Sequence, residues 1–189
     1  MTFLRKYIKT LLKEYLSRQD LEDVRQTAEL VHLGQTRRDG TTGFSHPLGV
    51  YNITKKYYPN NKPAQMLALL HDSLEDAEKV GNVSKQEAFN MIKSSIHDEE
   101  ILSQLLDALM LLTHEKSIPY PEYLQATLNN PLSGIVKISD LIHNLSHSPS
   151  PKQIIKYSSA LKNVYIPGYI KKEHMKELHE ILRERHGTP

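Results

Sequence analysis

The segment PAQMLALLHDSLED, residues 63–76, constrains the fold more than any other. Pro63 stands at a favoured first-turn position. Ala64, Met66, Leu67, Ala68, Leu69 and Leu70 then leave almost no polar side on a helix, so this helix belongs inside a core. The apolar run stops at His71-Asp72. With successive residues about 100° apart, His71, Asp72, Glu75 and Asp76 fall within about 140° of arc, beside Leu67, Leu70 and Leu74. One helix through Asp76 thus offers an imidazole and three carboxylates to a single cavity. Burying them unpaired costs several kcal/mol per ion, and a divalent metal is the simplest counter-charge. The alternative is that His71 and Asp72 cap the helix while Glu75 and Asp76 meet solvent.

The chain has the size to enclose such a helix. Its 189 residues are 39% hydrophobic, which suits one sizeable core and a single domain over 1–189. With no cysteine, disulfides and thiolate chemistry are excluded, and any metal must rest on His, Asp or Glu. The 24 basic residues are spread along the chain and the formal net charge is +2, which argues against a nucleic-acid partner. The start, MTFLRKYIKTLLKEYL, carries charge throughout and lacks the apolar core of a secretory signal; no later segment reaches transmembrane length without a charge. A soluble, cytoplasmic protein without a membrane partner is the expectation.

Helical periodicity recurs along the chain. Leu4, Tyr7, Ile8, Leu11, Leu12, Tyr15 and Leu16 predict a helix near 3–17, and Asp20 is placed to cap a second helix to about Gln35. TRRDGTTGFSH reads as a loop. It leads into His46-Pro47, which sets His46 at a helix start, a good place for a ligand. Arg37 and Arg38 in that loop are either surface charges or partners for phosphate oxygens. Further helices are predicted from Pro47 to about Tyr58, from a Ser84/Glu87 capping box to about Lys93, and over Glu99–Leu112. His97 and His114 fall at the ends of the last of these, where capping or exposure is the simplest reading. A short helix from Pro121 to about Leu128 is followed by one from Pro131 through LSGIVKISDLIHNL, then by Ser150-Pro151 to about Asn163 and Lys171–Arg185. Lys137, Asp140 and Asn144 share a face, which on its own reads as solvated surface, while the flanking Ile138, Leu141 and Ile142 point to a buried, paired Asp140. With no alternating strand, the expected fold is an all-α, single-domain helical bundle of about nine to ten helices.

Taken in order, His46, His71-Asp72 and Asp140 resemble the metal-binding signature of the HD phosphohydrolase superfamily. AELVHLGQTRRDGTTGFSHPLGV, LALLHDSLEDA and VKISDLIHNL resemble successive motifs of its alarmone-hydrolase branch, the hydrolase domain of RelA/SpoT proteins and their small stand-alone relatives. The resemblance covers a motif-bearing core of about 20–165 and leaves a C-terminal helix of about 170–186 outside it.

That resemblance implies that His46, His71, Asp72 and Asp140 hold one divalent metal, usually manganese in the family. It implies that Glu75 and Asp76 orient and deprotonate an attacking water. Arg37 and Arg38 match a basic pair that meets base or phosphate, and Asn144 matches an asparagine near the nucleoside. Tyr157 resembles an aromatic at the nucleotide pocket, core packing being its other reading. Lys137 matches a recurring lysine that either meets phosphate or balances the acids. Leu141 departs from the pattern, standing where an arginine often follows the aspartate. The implied activity is removal of the 3′-diphosphate from guanosine tetra- or pentaphosphate. Synthesis of the alarmone is not expected, because 189 residues leave no room for the synthetase and regulatory domains. Two other readings fit the same motifs: a phosphatase for the 2′-phosphate of NADPH or another nucleotide, and a nucleotide-sensing protein that does no chemistry.

Overall fold

A computed structural model of the chain describes residues 2–77, 83–114 and 117–185, with side chains in the first helix described at Tyr7, Leu11 and from Arg18 onward. The apolar face expected on Leu4, Ile8, Leu12, Tyr15 and Leu16 lies outside the described side chains, and most of the 77–84 connection lies outside the described residues. The rest is all-helical. In chain order the helices are α1 (Thr2–Val31), α2 (Ser45–Tyr57), α3 (Lys62–Leu70), α4 (Ser73–Asp76), α5 (Lys85–Ser94), α6 (Glu99–Leu112), α7 (Tyr120–Asn129), α8 (Pro131–Ser146), α9 (Pro151–Leu161) and α10 (Lys172–Arg185). Among the described residues the one bridge of β type joins Thr36 and Thr42. None of the helices among these residues is long and apolar enough to cross a membrane.

Two buried helices hold the bundle together. In α3 every residue from Ala64 to Leu70 is buried, and the helix packs against α1, α2, α6 and α8. Met66, Leu67, Leu69 and Leu70 are among the largest fully buried side chains, each contributing roughly 1.5–3 kcal/mol by leaving water. Asn61 caps the helix by accepting from the Ala64 amide, and proline occupies its first turn. The second buried helix, α8, is covered by α2, α3, α6, α7, α9 and α10. Asn130 caps it, accepting from the amides of Leu132 and Ser133. Capping boxes at Ser84/Glu87 and Ser150/Gln153 start α5 and α9.

Two expectations are corrected. The first turns of the chain form one helix, α1, and not two, because no proline or glycine interrupts residues 2–31. Asp20 is not a cap: it is fully buried and accepts from the Nδ1 of His97 at 2.7 Å and from the His97 amide at 3.3 Å, tying α1 to the segment before α6. The central helix does not run through Asp76 either. It ends at Leu70, where the Nδ1 of His71 takes the carbonyl of Ala68 at 2.8 Å, the acceptor an unbroken helix reserves for the amide of Asp72. The amides of Glu75 and Asp76 then bond the carbonyl of Asp72, restarting a single turn, α4.

A third histidine is part of the core itself. His174 on α10 is wholly buried, stacks on Tyr57 with ring centroids 4.6 Å apart, and approaches the hydroxyl of Ser139 at 3.1 Å, which in turn accepts from Thr54. Its Nδ1 has no hydrogen-bond partner. Burial pushes its pKa down to about 4, while the Glu177 carboxylate pulls in the opposite direction. The unfolded chain therefore binds a proton here near pH 6.5 and the folded chain does not until about pH 4, so stability is lost as pH falls through that window. Between neutrality and about pH 4.5 this group should cost about 2.5 kcal/mol of unfolding free energy. Denaturant melts of wild type and His174→Leu at the two pH values should differ by that amount, and equal losses in both would assign the acid sensitivity to other groups.

Candidate metal centre and substrate cleft

Three helices deliver four ligand-type side chains to one point. His46 enters from the first turn of α2, His71 and Asp72 from the break between α3 and α4, and Asp140 from the middle of α8. The Nε2 of His46 lies 3.2 Å from the Nε2 of His71, 3.1 Å from Asp140 Oδ1 and 3.3 Å from Asp72 Oδ2. His71 Nε2 in turn lies 3.3 Å from Asp72 Oδ1 and 3.8 Å from Asp140 Oδ1. Ligands about 2.1 Å from an octahedral ion stand about 3 Å from one another, and these donor atoms have that spacing. One donor atom each from His46, His71 and Asp72 falls within 4.8 Å of the others, a group that can hold a metal ion. Imidazole with carboxylate oxygen suits a borderline-to-hard divalent ion such as manganese.

The ring orientations are fixed from behind. His71 Nδ1 donates to the Ala68 carbonyl, which leaves Nε2 as the lone-pair nitrogen facing the site. Asp140 is buried and doubly held: Lys137 Nζ lies 2.9 Å from Oδ2, and the Asn144 amide donates to Oδ1 at 2.5 Å. Lys137 thus balances the acid in this structure, and the Asn144 amide is bonded to Asp140. Buried carboxylates and imidazoles drive one another toward the charged state. Burial opposes charge on His71, yet Asp72 and Asp140 push its pKa up to about 10. Burial likewise opposes charge on His46, where hydrogen bonds to Asp140 and Asp72 prevail and raise it. For the acids, burial is outweighed by His71 at Asp72 and by Lys137 at Asp140, and both stay well below the ordinary carboxylate range.

The four donors form the floor of a cleft of about 280 Å³. Arg37, Glu75, Asp76, Lys137, Asn144 and Tyr157 all line it. Arg38 does not. Arg37 opens a turn in which the Gly40 amide returns to its carbonyl at 3.0 Å, and Arg38 occupies the exposed tip. Gly40 closes the turn at φ +83°, a conformation suited to glycine. Glu75 is fixed across the cleft, its Oε1 accepting the His114 amide at 2.8 Å.

The sequence reading did not single out several cleft residues. Lys156 places its ammonium 3.8 Å from the ring centroid of Tyr120, and burial followed by repulsion from Lys137 lowers its pKa. Tyr120, Tyr123 and Tyr157 form an aromatic wall, with Tyr120 5.7 Å from each of the other two. The Ser150/Gln153 capping box sets the register of α9, which predicts the direction of Lys156 only once α8 is placed beside it. His32 was also missed. It is buried at the end of α1 with neither ring nitrogen hydrogen-bonded; burial lowers its pKa while Asp76 and Asp72 pull the other way. His143 is three residues past Asp140 on the same face of α8, a spacing that was available in the sequence. Its Nδ1 meets His46 Nδ1 at 2.9 Å, and burial, then His46, pushes its pKa down to about 3.

No model of a known protein family matches the chain, and no curated protein matches it.

A metal must displace protons from this site, because ligating imidazoles are neutral. With His71 holding its proton up to about pH 10 in the metal-free protein, manganese affinity should rise by about tenfold per pH unit between pH 6 and 8. Calorimetry in buffers of different ionisation enthalpy should register release of about one proton or more per ion. A pH-independent affinity would exclude His71 as a ligand.

Proposed function

We propose that this chain is a metal-dependent nucleotide phosphohydrolase, and specifically a guanosine 3′,5′-bis(diphosphate) 3′-pyrophosphohydrolase. The observation that carries the reading is one cleft in which the His46, His71, Asp72 and Asp140 donors adjoin a pinned carboxylate and a wall of cations and tyrosines. The ordered motifs that resemble the alarmone hydrolases support the choice of substrate within that class.

The four donors would hold a divalent ion, manganese by the family resemblance, which supplies Lewis acidity toward a phosphoryl oxygen and lowers the pKa of a water molecule. Glu75 accepts the proton of the attacking water. Its position is set by the His114 amide on Oε1, which leaves the second carboxylate oxygen for that proton. The new water oxygen–phosphorus bond forms as the bond from phosphorus to the ribose 3′-oxygen breaks. Glu75, now carrying that proton, passes it by way of Asp76 beside it to the departing 3′-oxygen, and pyrophosphate leaves. Since Lys137 is paired with Asp140, the outer phosphate oxygens fall to Arg37 and Lys156, both on the cleft wall. Tyr157 and Tyr120 offer ring surface to the base.

The test is release of pyrophosphate or phosphate from guanosine tetraphosphate, NADPH and deoxynucleoside triphosphates, with manganese and then with chelator. Pyrophosphate from guanosine tetraphosphate alone is the expected outcome. Release from another member of the panel would replace the substrate, and silence with manganese bound, together with tight nucleotide binding, would favour a nucleotide-binding protein. Asp72→Ala should lower kcat/KM by roughly 10³-fold or more, and Glu75→Gln should lower kcat by about 10²–10⁴-fold with manganese affinity retained.

A further inference from the structure

The inner faces of α2 and α8 meet in matched pairs. On α2, His46 and Gly49 are three residues apart, and on α8, Asp140 and His143 are three residues apart, so each pair shares one face of its helix. Opposite nitrogens of the His46 ring contact the two α8 residues. Nε2 faces Asp140 Oδ1 at 3.1 Å, and Nδ1 faces His143 Nδ1 at 2.9 Å.

Gly49 makes room for this. A Cβ built there would lie 2.1 Å from His143 Nε2 and 2.2 Å from its Cδ2, so any larger residue displaces the ring. On its other side the His143 ring stacks on His147, with centroids 4.0 Å apart and planes at 15°. His147 is tied back to the same helix turn by its Nδ1 on the His143 carbonyl at 2.9 Å. Glycine is a poor residue for a helix interior, and here the space it leaves is filled by an imidazole.

We infer that His143 is a positioning residue for the metal centre, holding His46 in its ligand-ready tautomer through the bond between the two Nδ1 atoms. The inference rests on the metal reading proposed above. For Nε2 of His46 to offer its lone pair, the ring proton must sit on Nδ1, and an acceptor must receive it. His143 is that acceptor, with its own proton on Nε2. A neutral imidazole thus does for His46 what the Ala68 carbonyl does for His71, and it adds no negative charge to a site that already has two carboxylates.

The experiment is manganese calorimetry and the visible absorption of bound cobalt(II) on the full chain, for wild type and four variants. His143→Leu fills the volume without an acceptor and should weaken manganese by about 10–100-fold and alter the cobalt bands. His143→Asn, whose carbonyl oxygen takes the place of Nδ1, should stay within about threefold of wild type. Gly49→Ala should weaken the metal as His143→Leu does, and the Gly49→Ala/His143→Leu double variant should be no weaker than either alone, since both remove one bond. Circular dichroism melts of the metal-free proteins identify any variant that fails to fold, in which case the remaining variants decide. Wild-type affinity and spectrum in His143→Leu, or an Asn variant as weak as Leu, would overturn the positioning role while leaving the metal reading intact. Failure of wild type to bind manganese or cobalt would overturn both.

Discussion

The arrangement on which this molecule depends is a set of two imidazoles and two carboxylates brought together where a cleft meets the apolar core, three of them buried and Asp72 partly exposed. Each group alone is expensive to bury, and together they hold one another charged, with His71 pushed up to about pH 10 and both aspartates held low. The fold meets that constraint by surrounding the cluster with fixed partners. The Ala68 carbonyl and the His143 ring sit behind the two imidazoles and Lys137 holds the far oxygen of Asp140, while Asn144 donates to the Asp140 oxygen that faces the site. α3 and α8, which carry these partners, are the most buried helices described.

Much of this was legible in the sequence, for reasons that differ from element to element. The Glu99–Leu112 helix appears with its expected bounds, because its leucine period and its acidic start agree. The Ser84/Glu87 box appears as a cap because its chemistry is local. Asp20 misled for the same reason: its type suits a helix start, but its actual partner, His97, is far away in sequence, and a one-dimensional reading does not contain that pairing. The break at His71 was hidden because both halves have helical backbone angles and the interruption comes from a side chain taking a carbonyl. The ligand types and their grouping could be read from residue chemistry. The neighbours around them could not, since His143 and Lys156 acquire their positions from the packing of α8 against α2 and α9.

The arginine pair illustrates the limit at the scale of one turn. Arg37 and Arg38 are adjacent and chemically identical, yet one lines the cleft and the other is in solvent, because the Arg37–Gly40 turn puts them on different sides of the chain. Lysine usage shows a similar division. Lys137 pairs with Asp140, while Lys156 lies over the Tyr120 ring on the cleft wall.

The bond between Glu75 and the His114 amide joins the one-turn helix α4 to the residues that follow α6. None of the four ligands is carried by those residues. Glu75 thus lies in the turn that directly follows Asp72 in the chain, while the group that fixes its carboxylate comes from the far end of α6. Under the proposed reading, a change at His114 that frees Glu75 would leave the His46, His71, Asp72 and Asp140 cluster intact, so turnover would be lost while a bound ion stayed in place.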